Sequence, residues 1–507
     1  MKRSLSRWDI YAYCILGVIL LFQVTNWFKM PLFMDCYYHL SVMRGFDDAG
    51  GWVGRAFWEN APVGRPHLYP PLFHLLEWTL FKTGLGPITI ARLCDVSIYP
   101  LLLFVVWSTV KNVYSSRLAF FGLFLLSSSY TLYLAILNNT PFSLAFIFGI
   151  LAFYSFKRSK YLATLLWLVL SFYTHSLMSW LAVLALFMDT LLRAQERRHF
   201  LKIFLAAVAL ASPLFIHQLR FLSFVKFFRT NEFYFAELDL PVYLLALAGD
   251  FLVIKNRRSY SFFIALSASM AVLLWTNRDR FLSGQGLIPL MLLAAVAMDV
   301  VWEGLDKQGK MSLRVAFFAA AILVFHFFTP LVCFTPLKRG PNIIMTSWLR
   351  NQIGWGSAFT SSKEKTLYYP KFIQEIVRLI KQKTGQDDII FSNYNYVGGM
   401  VAVLSHRATS DAMLPEIKPF QSFDEIGCAR CILWFKSPEE QFPQILTQLI
   451  DKYNLKKVGE TELAFIYENE KTPFKRRVLP ARAPFGACFF LLFLAAGGIW
   501  FDLKNKS

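Results

Sequence analysis

Asp35 and His39 stand four positions apart, shortly after the first apolar stretch of the chain. On a helix, residues at this spacing lie on the same face. A carboxylate beside an imidazole can act as a general base, and the same two groups can bind a metal ion. An interfacial helix with a capping aspartate would show the same pair, so the spacing leaves both interpretations open. We predict Asp35 and His39 as catalytic residues, with Asp35 as the candidate metal ligand.

A second group of polar residues lies within 64–74, around the consecutive prolines Pro70 and Pro71. The prolines fix an extended approach to a helix, and the apolar run at 71–82 predicts that this helix is short or re-entrant. A rigid interfacial turn would explain the prolines, but not the concentration of basic and aromatic side chains. The predicted substrate-binding residues of this segment are Arg65, His67, Tyr69 and His74.

Two short connections between apolar stretches contribute one candidate each. Asn138 precedes Thr140 and Pro141, which are typical of an N-cap and a first helical position. His175 lies in the other connection, where an interfacial histidine and a site residue are both compatible with the sequence. We predict that Asn138 and His175 also contact the substrate.

Two arginines, Arg278 and Arg280, flank Asp279 between two later apolar stretches. A guanidinium group presents planar donors that match the oxygens of a phosphate. An Arg–Asp pair that reaches for the membrane interface is the alternative interpretation. Gln285 follows about one turn later, and we predict that it binds a phosphate together with the two arginines.

The amino-acid composition indicates which class of protein carries these candidate residues. Of 507 residues, 56% are hydrophobic and only 17% are charged, whereas soluble proteins have about 25% charged residues. The chain therefore has too little polar surface for a soluble protein of this size. Its net charge of +19 would indicate nucleic-acid binding in a soluble chain, but a membrane protein concentrates basic residues in its cytoplasmic loops.

A membrane span needs about 20 mostly apolar residues, and the sequence predicts about twelve spans, several of them short. The candidates are 9–28, 88–110, 118–136, 141–156, 161–174, 177–193, 200–218, 241–254, 260–276, 281–302, 312–334 and 484–502. Alternate connections carry about 20 basic and five acidic residues, which is roughly +15 on one side of the membrane. The positive-inside rule places that side, with both termini, in the cytoplasm. All the candidate site residues then lie at the outer face, and nucleic acid is not an expected partner.

Residues 335–480 differ in composition from the rest of the chain, because charge density rises and the long apolar runs stop. Short apolar segments that follow turns predict strands, and amphipathic segments predict helices. The predicted strands are 389–391, 430–435 and 463–467, and the predicted helices are 370–383 and 439–453. Alternation of the two kinds of element predicts a small α/β domain.

The predicted fold class is therefore a polytopic α-helical membrane protein. Its bundle occupies residues 1–334 and includes a first outer loop at 29–87. An extracytoplasmic α/β domain follows at 335–480, and a C-terminal transmembrane helix at 481–507 ends the chain.

The chain resembles the GT-C-type glycosyltransferases in this architecture and in three segments. The segments are 34–40, 67–74 and 277–281, the last of which leads into 288–290. That superfamily includes oligosaccharyltransferase catalytic subunits, protein O-mannosyltransferases and lipid A aminoarabinose transferases. The resemblance covers most of the membrane part. The chain departs from the oligosaccharyltransferases at 138–139, where two asparagines replace an acidic pair, and it has no Trp-Trp-Asp-Tyr-Gly motif.

The resemblance implies roles for the candidate residues. Asp35 would be the key acidic residue of the first outer loop, where it would deprotonate the acceptor, with His39 as its partner, or hold a divalent cation such as Mg²⁺ or Mn²⁺. The donor would be a sugar on a polyprenyl phosphate or diphosphate, and Arg278 or Arg280 would hold the lipid phosphate, with Gln285 beside them.

The function predicted from the sequence is transfer of that sugar to a glycan, lipid or protein acceptor at the extracytoplasmic face of the plasma membrane. The alternative is a transporter or flippase that moves a lipid or glycan without bond formation. Transporters usually place functional polar groups near the bilayer midplane, within repeated halves. Here the polar groups cluster at one face and no repeat is visible in the sequence.

Overall fold

The computed structural model of the chain describes residues 5–28, 32–138, 140–226, 236–257, 259–334, 342–353, 370–436, 443–472 and 474–481. Most of the described residues before position 354 are helical. These helices are α1 Arg7–Thr25, α2 Met34–Ala49, α3 Leu72–Lys82, α4 Pro87–Val113, α5 Ser116–Ser128, α6 Tyr130–Asn138, α7 Thr140–Lys157, α8 Tyr161–Thr174, α9 Ser176–Leu191, α10 Arg197–Arg220, α11 Leu240–Lys255, α12 Ser261–Met270, α13 Leu273–Thr276, α14 Arg278–Leu282, α15 Leu287–Lys307, α16 Met311–Ile322 and α17 Trp348–Ile353.

Within the described residues, five helical segments are long and apolar enough to cross a membrane. They are α1, α4, α7, the segment Ala194–Arg220 that contains α10, and the segment Arg278–Lys307 that contains α14 and α15. A sixth is the pair α5 and α6, bent by 74° at Ser129, whose backbone is extended and whose hydroxyl accepts from the Leu132 N–H at 3.3 Å. The protein is an integral membrane protein.

The prediction of about twelve spans also counts apolar helices that are shorter than these segments. Its last span, 484–502, lies outside the described residues. One predicted span, 312–334, ends differently from expectation. Helix α16 continues as a π turn over Leu323–Phe327 and then becomes the strand Pro330–Phe334. Pro330 has no N–H to continue the helical ladder, and the Thr329 hydroxyl closes it by donating to the Phe325 carbonyl at 2.8 Å.

Ion pairs join the helices at one end of the bundle, where the basic connections meet. They link α1 to α4, α7 to α9, and α5 to α15. The pairs are Lys111–Asp9 at 2.9 Å, Lys157–Asp189 at 2.7 Å and Arg117–Glu303 at 3.2 Å. The alternate basic connections of the sequence therefore share one end, and the candidate site residues lie towards the other.

Two small sheets flank the end of the bundle opposite the ion pairs. Strands β1 Arg55–Ala56 and β2 Arg65–Pro66 pair within the first loop. Strands β3 Ala236–Asp239, β4 Pro330–Phe334 and β5 Asn342–Met345 form an antiparallel sheet with β4 in the centre. The sequence did not predict this three-stranded sheet, because its strands are short and separated by long helices.

The C-terminal described residues form a mixed five-stranded sheet in the order β7-β6-β8-β10-β9. Its strands are β6 Ile389–Ser392, β7 Ala408–Thr409, β8 Cys431–Phe435, β9 Lys456–Glu460 and β10 Ala464–Glu468. The helices around it are α18 Gln374–Lys383, α19 Asn395–Ser405 and α20 Pro443–Tyr453. All three predicted strands are present, and β6 is parallel to both of its neighbours, whereas β10 is antiparallel to both of its own.

The five-stranded sheet contacts the first loop through backbone hydrogen bonds at its β7 edge. Thr409 donates its N–H to the Trp58 carbonyl at 3.0 Å and accepts from the Ala61 N–H at 3.0 Å. Such bonds satisfy strand edge groups that would otherwise stay unpaired. The first loop, which carries several candidate site residues, is therefore held in place by the C-terminal part.

Candidate functional site

Helix α2 places Asp35 in its first turn, shortly after the C-terminal end of α1. The helix begins after Phe33, which makes no side-chain cap bond, and it ends at Gly50 in the left-handed region with φ 77°. A carboxylate in the first turn is stabilised by the helix dipole. Asp35 is thus inside the helix rather than its N-cap, which argues against the capping interpretation.

The Asp35 carboxylate lies on the wall of a recess. Its side chain reaches open space, yet protein surrounds it closely enough to desolvate it. Burial raises the pKa of Asp35 to about 6. The positive charge of Arg280 lowers this pKa, and the negative charge of Glu416 raises it. An arginine from α14 and a glutamate from the C-terminal part therefore face the same recess as Asp35.

The turn after α14 fixes Arg280. The Asn277 side chain caps α14 by accepting from the Arg280 N–H at 3.2 Å, and the Gly286 N–H donates to the Arg280 carbonyl at 2.9 Å. A Cβ atom at Gly286 would lie 2.5 Å from the backbone of Phe281, so the chain can return this closely only at a glycine. The guanidinium then lies 5.3 Å above the Phe142 ring, a favourable cation–π position.

A chain of ring contacts joins Arg280 to the first loop. The Phe142 ring lies 5.0 Å from His175, and His175 lies 5.7 Å from Tyr69, as measured between ring centroids. Tyr69 interacts electrostatically with both Asp35 and Arg280, and burial raises its pKa well above the ordinary value. The structure therefore brings Asp35, Tyr69, His175 and Arg280 together in one site.

His39 belongs to a buried histidine cluster behind this site. Its Nδ1 lies 2.9 Å from Nε2 of His74, and the His67 ring centroid lies 5.9 Å from that of His74. Burial lowers the pKa of His39 to about 3, so the ring is neutral at physiological pH. His39 therefore directs its Nδ1 to His74 rather than to Asp35, and its expected partnership with Asp35 is not made through this nitrogen.

Arg65 is fully buried and holds the C-terminal part rather than facing open space. Its guanidinium pairs with Glu59 and donates to the Tyr38 hydroxyl at 3.2 Å. The second oxygen of Glu59 accepts from the backbone N–H groups of Met413 and Leu414 at 2.8 and 3.0 Å. This connection places the 413–418 segment beside α2.

The remaining predicted site residues differ in exposure and in the contacts that they make. Arg278 is exposed, and its Nε donates to the Leu274 carbonyl at 3.3 Å. Gln285 is buried and donates to the Ala135 carbonyl at 2.9 Å, which ties the start of α15 to α6. His175 accepts from the Met178 N–H at 3.3 Å and caps α9. Asn138 ends α6, and its side chain lies outside what the structure describes.

Glu416 is the residue that the sequence did not reveal. The Lys226 N–H donates to its carbonyl at 2.7 Å, and a bridge between Val225 and Ile417 holds the segment against the end of α10. No spacing motif marks Glu416, because its approach to Asp35 requires two distant segments to fold together. Among the described residues, the charged groups that interact at the recess are thus the carboxylates of Asp35 and Glu416 and the guanidinium of Arg280.

The described residues do not present a ready-made metal site. Nowhere among them do three or more His, Cys, Asp or Glu side chains converge in a way that could hold a metal ion. The closest approach to such a set in the recess is the pair Asp35 and Glu416, with Arg280 beside them.

Comparison with known proteins identifies solved structures of similar fold. No protein-family model and no curated protein sequence matches the chain. ArnT from Cupriavidus metallidurans superposes in its apo state with a TM-score of 0.57 and 15% identity, over 92% of this chain and 98% of ArnT. The structure of ArnT bound to undecaprenyl phosphate superposes with a TM-score of 0.56 and 14% identity, over 93% of this chain and 99% of ArnT. The apo oligosaccharyltransferase from Archaeoglobus fulgidus superposes with a TM-score of 0.56 and 11% identity, over 93% of this chain and 75% of the oligosaccharyltransferase.

Proposed function

From the GT-C fold, which the chain shares with these two membrane proteins, we propose that it is a glycosyltransferase. It moves a sugar from a polyprenyl phosphate or diphosphate to a glycan, lipid or protein acceptor at the extracytoplasmic face. The observation that carries the proposal is the recess in which Asp35, Arg280 and Tyr69 interact. Support comes from structures of the fold with undecaprenyl phosphate in ArnT and dolichol-phosphate in the archaeal oligosaccharyltransferase AglB.

The proposed reaction uses Asp35 as the base. Asp35 accepts the proton from the acceptor as the acceptor atom bonds to the anomeric carbon, and the bond from that carbon to the donor phosphate oxygen breaks. A pKa of about 6 keeps Asp35 mostly ionised at pH 7 while making it more basic than an ordinary aspartate.

Arg280 is the proposed phosphate-binding residue. As the glycosidic bond forms, negative charge grows on the departing lipid phosphate, and a fixed guanidinium stabilises that charge. Because the cation–π contact with Phe142 and the Asn277 cap hold Arg280 in advance, little reorganisation is needed. Arg280 therefore supplies positive charge at the donor phosphate.

The orientation of the chain is part of the proposal. The end of the bundle with the ion pairs would face the cytoplasm with both termini, in agreement with the positive-inside rule. Residues 1–334 would form the bundle, residues 335–480 an extracytoplasmic domain, and residues 481–507 the last span. The recess then opens on the side of the membrane where lipid-linked sugars replace nucleotide sugars as donors.

The test is transfer by the purified chain in liposomes, with a radiolabelled sugar on a polyprenyl phosphate as donor. We expect Asp35→Asn and Arg280→Ala each to lower kcat by about 10²- to 10³-fold. Arg278→Ala is the matched control, since it removes the same charge two residues away, and it should keep activity within about threefold.

Full activity of both Asp35→Asn and Arg280→Ala would refute the site assignment. Movement of labelled lipid across the bilayer without any bond formation would instead favour the transporter hypothesis.

A further inference from the structure

Tyr69 interacts electrostatically with both groups to which the proposed reaction assigns a role, Asp35 and Arg280. Its side chain is half-buried. Burial, reinforced by the charge of Asp35, raises the pKa of the Tyr69 hydroxyl well above its ordinary value. The hydroxyl therefore keeps its proton at pH 7 and is available as a hydrogen-bond donor. Such a donor serves a reaction only when its ring is held in one orientation.

The rings of two histidines contact Tyr69 edge to face. The ring centroid of Tyr69 lies 5.2 Å from that of His39 and 5.3 Å from that of His74, with interplanar angles of 74° and 78°. Edge-to-face packing is a preferred arrangement of aromatic rings. His39 belongs to α2 and His74 to α3, so rings from two helices hold the Tyr69 side chain.

A hydrogen bond joins the two histidines to each other. Nδ1 of His39 lies 2.9 Å from Nε2 of His74, so one of these nitrogens donates and the other accepts. Both rings are buried, and burial lowers the pKa of His39 to about 3 and that of His74 well below its ordinary value. The neighbouring His67 is buried and has a lowered pKa as well. The pair is therefore neutral at physiological pH, which suits orientation rather than proton transfer.

This arrangement gives the spacing of Asp35 and His39 a physical reason. Residues four positions apart share one face of a helix. Helix α2 thus carries the Asp35 carboxylate and, one turn later, a ring that contacts Tyr69. One helix sets the position of the proposed base and of a support for the donor hydroxyl.

We propose that the His39–His74 pair positions the Tyr69 hydroxyl beside Asp35 and Arg280, where the hydroxyl donates a hydrogen bond to the substrate. His39 and His74 are positioning residues that act through Tyr69. The inference rests on the proposed function, which defines the substrate of the recess. It gives His39 a role other than that of a partner of Asp35 in removing the proton.

The test uses the identity of the bonded ring nitrogens and the same transfer assay in liposomes. An asparagine amide can take the place of Nδ1, and a glutamine amide can take the place of Nε2. His39→Asn and His74→Gln therefore keep the hydrogen bond, whereas His39→Gln and His74→Asn lose it. All four variants lose a ring, so their comparison isolates the bond. We expect kcat/KM to be about tenfold lower in the second set than in the first.

A double-mutant cycle tests whether the pair acts through Tyr69. In the Tyr69→Phe background, the difference between His39→Asn and His39→Gln should disappear. The acidic limb of the pH profile should stay in place in both His39 variants, because a neutral pair places no charge near Asp35. His199→Phe is the control, since it keeps the stacking on Tyr161 far from the recess, and it should transfer as the wild type does.

Solid-state NMR of the full chain with ¹⁵N-labelled histidine tests the pair without any transfer. We expect a coupling between Nδ1 of His39 and Nε2 of His74 across the hydrogen bond. A wild-type chain that shows this coupling but transfers no sugar would refute the proposed function while the pair itself stands. Thermal unfolding measured for each variant verifies that it is folded.

Four outcomes would overturn the role assigned to the pair. They are a missing coupling in the wild type, equal kcat/KM in the two sets of variants, a difference that persists in the Tyr69→Phe background, and an acidic limb that moves in His39→Asn.

Discussion

Burial and two neighbouring charges set the protonation of Asp35. Burial favours the neutral acid, the charge of Arg280 favours the carboxylate, and the charge of Glu416 opposes it. The two charges come from two distant parts of the chain, namely α14 and the C-terminal part. The protonation of Asp35 therefore reports whether the site is assembled.

We expect the acidic limb of the kcat/KM profile to lie near pH 6, because a base must be deprotonated to act and the pKa of Asp35 is raised to about 6. Arg280→Ala should move the limb to higher pH, since it removes the charge that lowers this pKa. Glu416→Gln should move it to lower pH, since it removes the charge that raises it. The measurement is the transfer rate between pH 4.5 and 8.

The exposed carboxylate Glu462 is the control for that profile, and Glu462→Gln should leave the limb in place. A limb that stays fixed in both Arg280→Ala and Glu416→Gln would show that Asp35 is not the titrating base.

At the scale of single residues, the sequence predicted Asp35, Tyr69, His175 and Arg280 as site residues from their types and from their common position at one predicted membrane face, and the structure brings these four residues together. The sequence could not distinguish Arg280 from Arg278, because a short helix turns one towards the recess and the other outward. Arg65 was predicted to bind substrate, and the structure buries it against Glu59. Its partner lies only six residues away, but no pattern marks a buried ion pair.

Among the elements, the turn from α14 into α15 leaves no room for a side chain at Gly286. Gly286→Ala would place a methyl group 2.5 Å from backbone atoms of Phe281, which cannot move aside without shifting α14 and Arg280. We expect kcat/KM for the lipid-linked donor to fall by roughly 10- to 100-fold, since displacement of a binding group by about 1 Å costs this much. Steady-state kinetics with varied donor would measure it.

Gly304→Ala is the control in the same helix, because no atom lies within 4 Å of the added methyl group. It should leave transfer unchanged and stabilise α15 by about 0.5–1 kcal/mol. Equal kinetics in the two variants would contradict the role assigned to the turn.

Hydropathy predicted where most helices lie but not how they end. The apolar run 118–136 is a pair bent at Ser129, and the run 312–334 changes from helix to strand at Pro330. Both changes depend on local hydrogen bonds of serine and threonine hydroxyls, which a window of apolar residues averages away. The short strands β3 and β5 escaped prediction because their pairing partner β4 was read as part of a span.

For the whole molecule, the buried Glu59–Arg65 pair is the connection between the two parts. Glu59→Gln should leave Arg65 buried without a counter-charge and cost about 3–5 kcal/mol. It also weakens the contact with Met413 and Leu414. We expect a lower Tm and faster protease cleavage near residue 413, together with lost transfer.

The double variant Glu59→Leu with Arg65→Met separates charge from packing. Replacing both partners by apolar groups should restore much of the Tm. A variant Arg65→Met that kept the wild-type Tm and raised only the KM for substrate would contradict the structural role and favour substrate binding.

The contact between Glu59 and Met413 spans 354 positions of the chain, which has a consequence for biosynthesis. A ribosome adds about 5–20 residues per second, so the first loop waits roughly 20–70 s for its partner to be made. During that interval Glu416 is absent from the recess and Glu59 lacks two of its donors. A nascent chain therefore carries Asp35 early but completes its surroundings only after residue 416 has been made.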